Sequence, residues 1–257
     1  MRLDQPVRSS GLTGNAIRTW GYLFLILGIA GKSVLQNRLL GLNTLDAAQL
    51  LEVLNAAPGN MMIATCALVL QAIHTCAAPL YTFLLVEGFR HTSNPYRYLA
   101  RVLGTAAISE IPYNLAMSGR WMDWGSRNPV FGMALCLVML ILFTRYEKKG
   151  WQGFLLKAGI AILTMVWTKM LGIGDGLSLV VLTLTFWTVR NKPNFRTMAG
   201  MCGAGLCVAF SMFYLAAPMA VLTLHGYNGE PGSKNRLVNY LAYPAALLCV
   251  GLGAMFI

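Results

Sequence analysis

Two ionisable pairs stand where an apolar stretch gives way to polar chain, in LYTFLLVEGFRHTSNPYRYLAR, residues 80–101. Glu87 and His91 are four apart, and so are Arg97 and Arg101. Each pair therefore shares a face wherever a helix runs through it. A cationic pocket that also offers an acid and an imidazole can hold a phosphate-rich ligand and handle protons. The same spacing suits a purely structural ion-pair cluster that closes two helices, and spacing alone leaves both readings open.

Further along, Glu110 sits in AAISEIPYNLAM, residues 106–117. Pro112 follows and deprives a backbone carbonyl of its helical partner. Asn114 lies four residues on, on the same face. The arrangement reads either as a hydrated polar notch or as a carboxylate paired with Arg120, Arg127 or Lys169. Asp175 lies between glycines in GIGDG, residues 172–176, where an N-cap is the plain reading. HGYNGEPGSKNR, residues 225–236, is a Gly/Asn/Pro turn cluster. Ionisable groups within apolar segments are costly and usually face a bundle interior or cavity. The three histidines show no metal-ligand spacing. The six cysteines lie in apolar runs without a CxxC, and read as buried, reduced thiols. There is no Ser/His/Asp or Cys/His order to follow.

The elements that must position these residues are helices in lipid. Of 257 residues, 56% are hydrophobic and 11% charged, with a mean hydropathy of +0.58; a soluble domain carries about 25% charged residues. Apolar runs recur along the whole chain between short polar loops. This predicts one all-α, polytopic transmembrane bundle over residues 1–257, with about eight helices. The expected spans are 16–36, 61–88, 98–117, 130–145, 154–169, 176–189, 197–215 and 237–257. Pro79 predicts a kink in the second, and the 172–176 link is a candidate re-entrant loop. Residues 37–60 read as an interfacial amphipathic helix. The net charge of +11 is dispersed among loops, so a nucleic-acid partner is not expected. With eight spans, thirteen of the twenty Lys and Arg fall on the side of the N-terminus. That bias predicts a multi-pass protein with both termini cytoplasmic. No internal repeat or paired broken helices point to a transporter.

The motifs FLLVEGFRHTSNPYRYLARV, ISEIPYNLA, NPVFGMAL, GDG, YNGEPGSKN and YLAYPAALL occur in the order seen in the TraX family, and the resemblance runs from about residue 70 to 250. It implies a multi-pass protein of the bacterial cytoplasmic (inner) membrane, linked to conjugation. The implied activity is N-acetylation of an F-type pilin: acetyl-CoA would donate to an amino group of a membrane or extracytoplasmic acceptor, a pilin-like peptide or small molecule. The matching positions are Glu87, Gly88, His91, Arg101, Glu110, Pro112, Asp175, Tyr227, Asn228, Gly229, Gly232 and Lys234. On that resemblance Glu110, His91 and Asp175 are expected to be catalytic. Arg97, Arg101 and Glu87 are expected to hold acetyl-CoA, and Asn114, Tyr227, Asn228 and Lys234 to bind substrate. The expected partners are the lipid bilayer, a pilin-like acceptor and a membrane complex.

Two positions depart from the family pattern. LGIAGKSV, residues 27–34, lacks the Asp-His pair of the first helix. In YPAALL, Ala246 stands where a last-helix histidine is common. An amine must lose a proton to end as an amide, so some base is needed. The alternative is a catalytically altered membrane subunit, a non-enzymatic partner in a transport or secretion complex.

Overall fold

A computed structural model describes residues 11–42, 45–146, 150–230 and 236–256. Gly232 and Lys234 lie outside them. The described residues form an all-α bundle whose only extended pairings are two isolated bridges, Leu12 with Tyr227 and Arg127 with Ile173.

Helix α1, Gly14–Ala30, starts at Thr13, whose Oγ1 accepts from the Ala16 N–H at 3.3 Å. It runs directly into a π-helix, Gly31–Leu39. Helix α2, Ala47–Ala56, opens with a capping box between Asp46 and Gln49, which satisfies N–H groups a helix start leaves orphaned. Helices α3, Pro58–Thr75, and α4, Ala77–His91, form one rod broken at Cys76. The break fits the kink expected from Pro79, which has no N–H to give the Thr75 carbonyl. Helix α5, Pro95–Ser118, is capped by Asn94 and stopped by Gly119 at φ 68°. Then follow α6, Pro129–Arg145; α7, Gly150–Met170; α8, Gly176–Thr188; α9, Arg196–Leu206; α10, Ala217–Val221; and α11, Arg236–Met255.

The bundle is apolar inside and outside. Leu80, Leu137, Leu140, Leu182 and Leu224 are fully buried. Yet Leu23 and Ile26 on α1, Ile108 and Ile111 on α5, and Ile162, Leu163 and Val166 on α7 are exposed. Among the described residues, two helical stretches are long and apolar enough to cross a membrane: Pro58–His91, with mean hydropathy 1.7, and Gly150–Met170, with 1.3. Exposed apolar faces on such helices belong against lipid.

One expected span is corrected. Residues 197–215 are not a single rod. Helix α9 runs inward and the chain turns through short 3-10 segments at Cys207–Ala209 and Met212–Leu215. It then returns through α10 and Leu222–Gly226. At the tip, the Phe213 and Ala216 carbonyls accept from Thr75 Oγ1 at 2.9 Å and Cys76 Sγ at 3.3 Å, halfway along the α3–α4 rod. Both arms end together, because Arg196 Nη2 donates to the Leu224 carbonyl at 2.8 Å. The physical cause is composition. The arms carry four glycines, at 200, 203, 205 and 226, and Pro218 follows the tip. Gly200 and Gly203 let α9 press against Phe186 and Thr185 of α8.

The fold-back changes which ends meet. Gly14 N–H donates to the Glu230 carbonyl at 2.7 Å, and Asn228 N–H to the Leu12 carbonyl at 3.0 Å. The turn at 227–230 thus lies beside the start of α1, not across the bundle from it. Helix α11 runs parallel to α5: Tyr240 meets Arg101 near their starts, and Gly251 meets Ala116 near their ends. The described chain therefore ends at the opposite end of the bundle from α1's start, against the expectation that both termini share a side.

Candidate functional site: a cation-lipped cavity

A cavity of about 820 Å³ opens between α1, α3, α4, α5, α6, α8 and α11. That is within the size range of small-molecule sites. Its lip lies at the junction of α4 and α5, with Arg18, His91, Tyr98, Arg101 and Tyr240. Tyr22, Tyr81, Tyr113 and Tyr243 line it further in. Its far part carries Lys32, Gln71, His74, Ser126, Gly174 and Asp175. Leu25, Ile29, Met133 and Leu179 supply apolar wall.

The lip follows from the start of α5. Asn94 Oδ1 accepts from the Arg97 N–H at 3.0 Å. This cap sets the helix phase so that Tyr98, Arg101 and Thr105 share the cavity face, while Arg97 is exposed to the outside. Arg101 Nε donates to the Tyr240 hydroxyl at 3.4 Å. Arg18 donates to Asn15 Oδ1 at 3.2 Å. Among the described residues no carboxylate forms an ion pair with Arg18 or Arg101.

The far part is built by two loops pairing with each other. Arg127 N–H donates to the Gly172 carbonyl at 2.9 Å and Gly174 N–H to the Arg127 carbonyl at 3.0 Å. Asp175 occupies the N-cap position of α8 but in the left-handed region, φ 56°, and its side chain makes no capping bond. A non-glycine residue there is strained and held by its surroundings. Asp175 itself lines the far part of the cavity.

The residues singled out from sequence separate into three places. His91, Arg101 and Asp175 line the cavity. His91 does so with a side chain 65% exposed and Nε2 bonded to Glu87 Oε1 at 3.0 Å.

A second group packs behind α4. Glu87 also pairs with Arg90 at 3.1 Å. Arg196 lies over the rings of Phe83 and Tyr227. Burial lowers the Arg196 guanidinium pKa from its ordinary value, with Glu87 acting in the opposite direction. Burial raises the Tyr227 phenol, and the Glu87 charge adds to that. Asn228 holds the adjoining turn, with Oδ1 accepting from the Glu230 N–H at 2.9 Å.

The third group is a clamp at the other end of α5. Glu110 accepts from Arg127 Nη1 at 3.4 Å and from the Asn128 N–H at 3.2 Å. Asn114 is buried nearby along α5, its Oδ1 without a partner. Neither Glu110 nor Asn114 lines the cavity.

His74 is the residue sequence reasoning passed over. Gln71, His74, Thr75 and Ala78 all line the cavity, at spacing i, i+3, i+4 and i+7. That polar stripe within an apolar helix was the available signal. The Nδ1 of His74 is closed to solvent and makes no hydrogen bond. Among the described residues no cluster of His, Cys, Asp or Glu is arranged to hold a metal.

An all-α bundle with apolar outer faces around a cation-lipped cavity is the frame of a membrane protein. The profile of the family described as TraX protein matches residues 46–252, and the chain belongs to the TraX family. It is 26% identical over 206 residues to the probable fimbrial assembly protein FimC, serogroup H1, of Dichelobacter nodosus, an alignment covering 70% of this chain and 81% of that protein. No solved structure matches it.

Proposed function

We propose that this chain is a membrane acetyltransferase. It takes acetyl-CoA at the Arg18/Arg101 lip and passes the acetyl group to an amino group that arrives from the Asp175 end. The observation that carries this reading is a cavity whose lining joins two arginines without carboxylate partners to an imidazole, His74, and an acid, Asp175, at its far part.

Guanidinium groups suit phosphate oxygens, which they can meet with paired hydrogen bonds. Arg18 and Arg101 would hold the nucleotide end of acetyl-CoA, which supplies an activated acetyl thioester. The tyrosine and leucine walls beyond would exclude bulk water from that thioester and strengthen polar contacts inside. Asp175 and His74 would meet the acceptor amine. The ion pairs of Glu87 and Glu110 would hold the ends of α4 and α5 in place.

The reading includes a place in the cell. Arg90, Arg97, Arg190, Lys192 and Arg196 crowd the lip end of the bundle, which favours that end, with the N-terminus, on the cytoplasmic side of a multi-pass bacterial inner-membrane protein. Acetyl-CoA is met there. Helix α2 would lie at the opposite interface. The FimC resemblance favours an acceptor connected with pilus assembly, such as a pilin-like peptide.

Purified protein in nanodiscs, given radiolabelled acetyl-CoA and a synthetic pilin N-terminal peptide, tests the reading. Acetyl-CoA binding and label transfer to the peptide amine are expected. If neither binding nor transfer to any amine is found, the reading fails. Stoichiometric isolation with a secretion-complex subunit would then favour the non-enzymatic alternative.

A further inference from the structure

His74 lines the inner part of the cavity but is absent from every motif that marks this chain as TraX-like. Its environment is unusual for an imidazole inside a bundle. Nδ1 is closed to solvent and has no hydrogen-bond partner, although the Leu25 carbonyl is nearby. Nδ1 is turned against α1 at Gly28. Nε2 is not among the closed-off atoms, so it is the nitrogen left for the cavity. Asp175 and Lys32 line the same cavity as the ring and are the charged groups that act on it. The other bases are occupied or elsewhere. His91 Nε2 is bonded to Glu87, and Glu110 is held by Arg127 and Asn128.

We propose that His74 is the general base for the acceptor amine and that Asp175 steadies the imidazolium that results. The inference rests on the acetyl-transfer reading given above. The α1 stretch 27–34 supplies no acid or imidazole of its own, and its Gly28 leaves the space in which the His74 ring sits. In the step, the acceptor nitrogen bonds to the acetyl carbon and the carbon–sulfur bond of the thioester breaks. The nitrogen's proton passes to His74 Nε2, and from there to the departing thiolate, so that amide and free thiol leave.

The test uses the full chain in nanodiscs, acetyl-CoA, the peptide amine and calorimetric binding of CoA. His74→Gln and His74→Ala are expected to lower kcat by about 10²–10⁴-fold and to bind CoA within about twofold of wild type. Added imidazole is expected to restore part of the His74→Ala rate, which it would not do for a packing defect. A second readout needs no turnover. With ¹⁵N-labelled histidine, the resonance lost in His74→Gln should shift in Asp175→Asn. Turnover of His74→Gln within threefold of wild type, or a His74 resonance indifferent to Asp175→Asn, overturns the proposal and leaves acetyl transfer standing. A wild-type protein that transfers no acetyl group overturns both.

Discussion

His74 of α3 and Gly28 of α1 meet so closely that a methyl group on Gly28 would lie 2.6 Å from His74 Cγ and 2.7 Å from Nδ1. Small residues permit such approach between helices in lipid. Gly31 one turn on does the same against Leu70, where a methyl carbon would lie 2.7 Å from Cβ. The position of the imidazole is therefore set by the absence of a side chain on its neighbour.

Gly28→Ala should cost about 1–3 kcal/mol through overpacking and displace the ring, lowering Tm by a few degrees and reducing transfer. Gly59→Ala, on the α3 helix that carries His74 but facing open space, is the control and should lower neither Tm nor transfer. Thermal unfolding in detergent, followed by fluorescence, compares them. Equal melting of Gly28→Ala and wild type would contradict the packing account.

Arg101→Ala should weaken acetyl-CoA binding about tenfold, the equivalent of about 1.4 kcal/mol. Arg97→Ala should change it less than twofold, since Arg97 is exposed outside the cavity. Calorimetric titration at two salt concentrations reads both the affinity and its electrostatic part. A larger loss for Arg97→Ala would place the donor on the outer face of α5.

Glu110→Gln should destabilise the bundle by about 1–2 kcal/mol, because it weakens bonds to Arg127 and the Asn128 N–H. Arg127 is a third exposed, which keeps the ion-pair share small. CoA affinity should be unchanged, and kcat of the folded protein nearly so. A hundredfold fall in kcat at unaltered Tm would return Glu110 to the chemistry.

The fold-back of α9 and α10 fixes a topology that labelling can read. In a cysteine-free background, Asn228→Cys and Thr92→Cys should react with an impermeant maleimide from the same face of the membrane. Ser118→Cys should react from the other. Labelling of Asn228→Cys and Ser118→Cys from one face would mean that residues 197–215 cross the membrane.

Much of this frame is legible in the sequence, because hydropathy and caps act locally. Asn94, Asn128 and Asp46 each announce a helix start, and Pro79 announces the break at Cys76. The 197–215 span misled because an apolar run reads alike whether it crosses or turns back; only the carbonyls at Phe213 and Ala216, taken up by Thr75 and Cys76, show the turn. At the site, Arg101 is legible from spacing. Asp175 reads as a cap, since a left-handed φ at a non-glycine residue has no mark in composition. His74 is hidden because its significance lies in what α1 omits opposite it.

The π-helix at Gly31–Leu39 bears on how this chain tolerates changes in length. Its wider turn holds more residues than an α-helix of equal rise, so it stores slack in the backbone. Loss of one residue upstream of Asn37 would be absorbed by tightening to α geometry, because five steps of about 100° turn the axis about as far as six steps of the wider π turn. Asn37, which donates to the Met117 carbonyl at 2.8 Å, would keep that latch on the end of α5. A one-residue deletion upstream of Asn37 should thus leave a helix of sound hydrogen bonding that still couples α1 to the wall that carries Arg101.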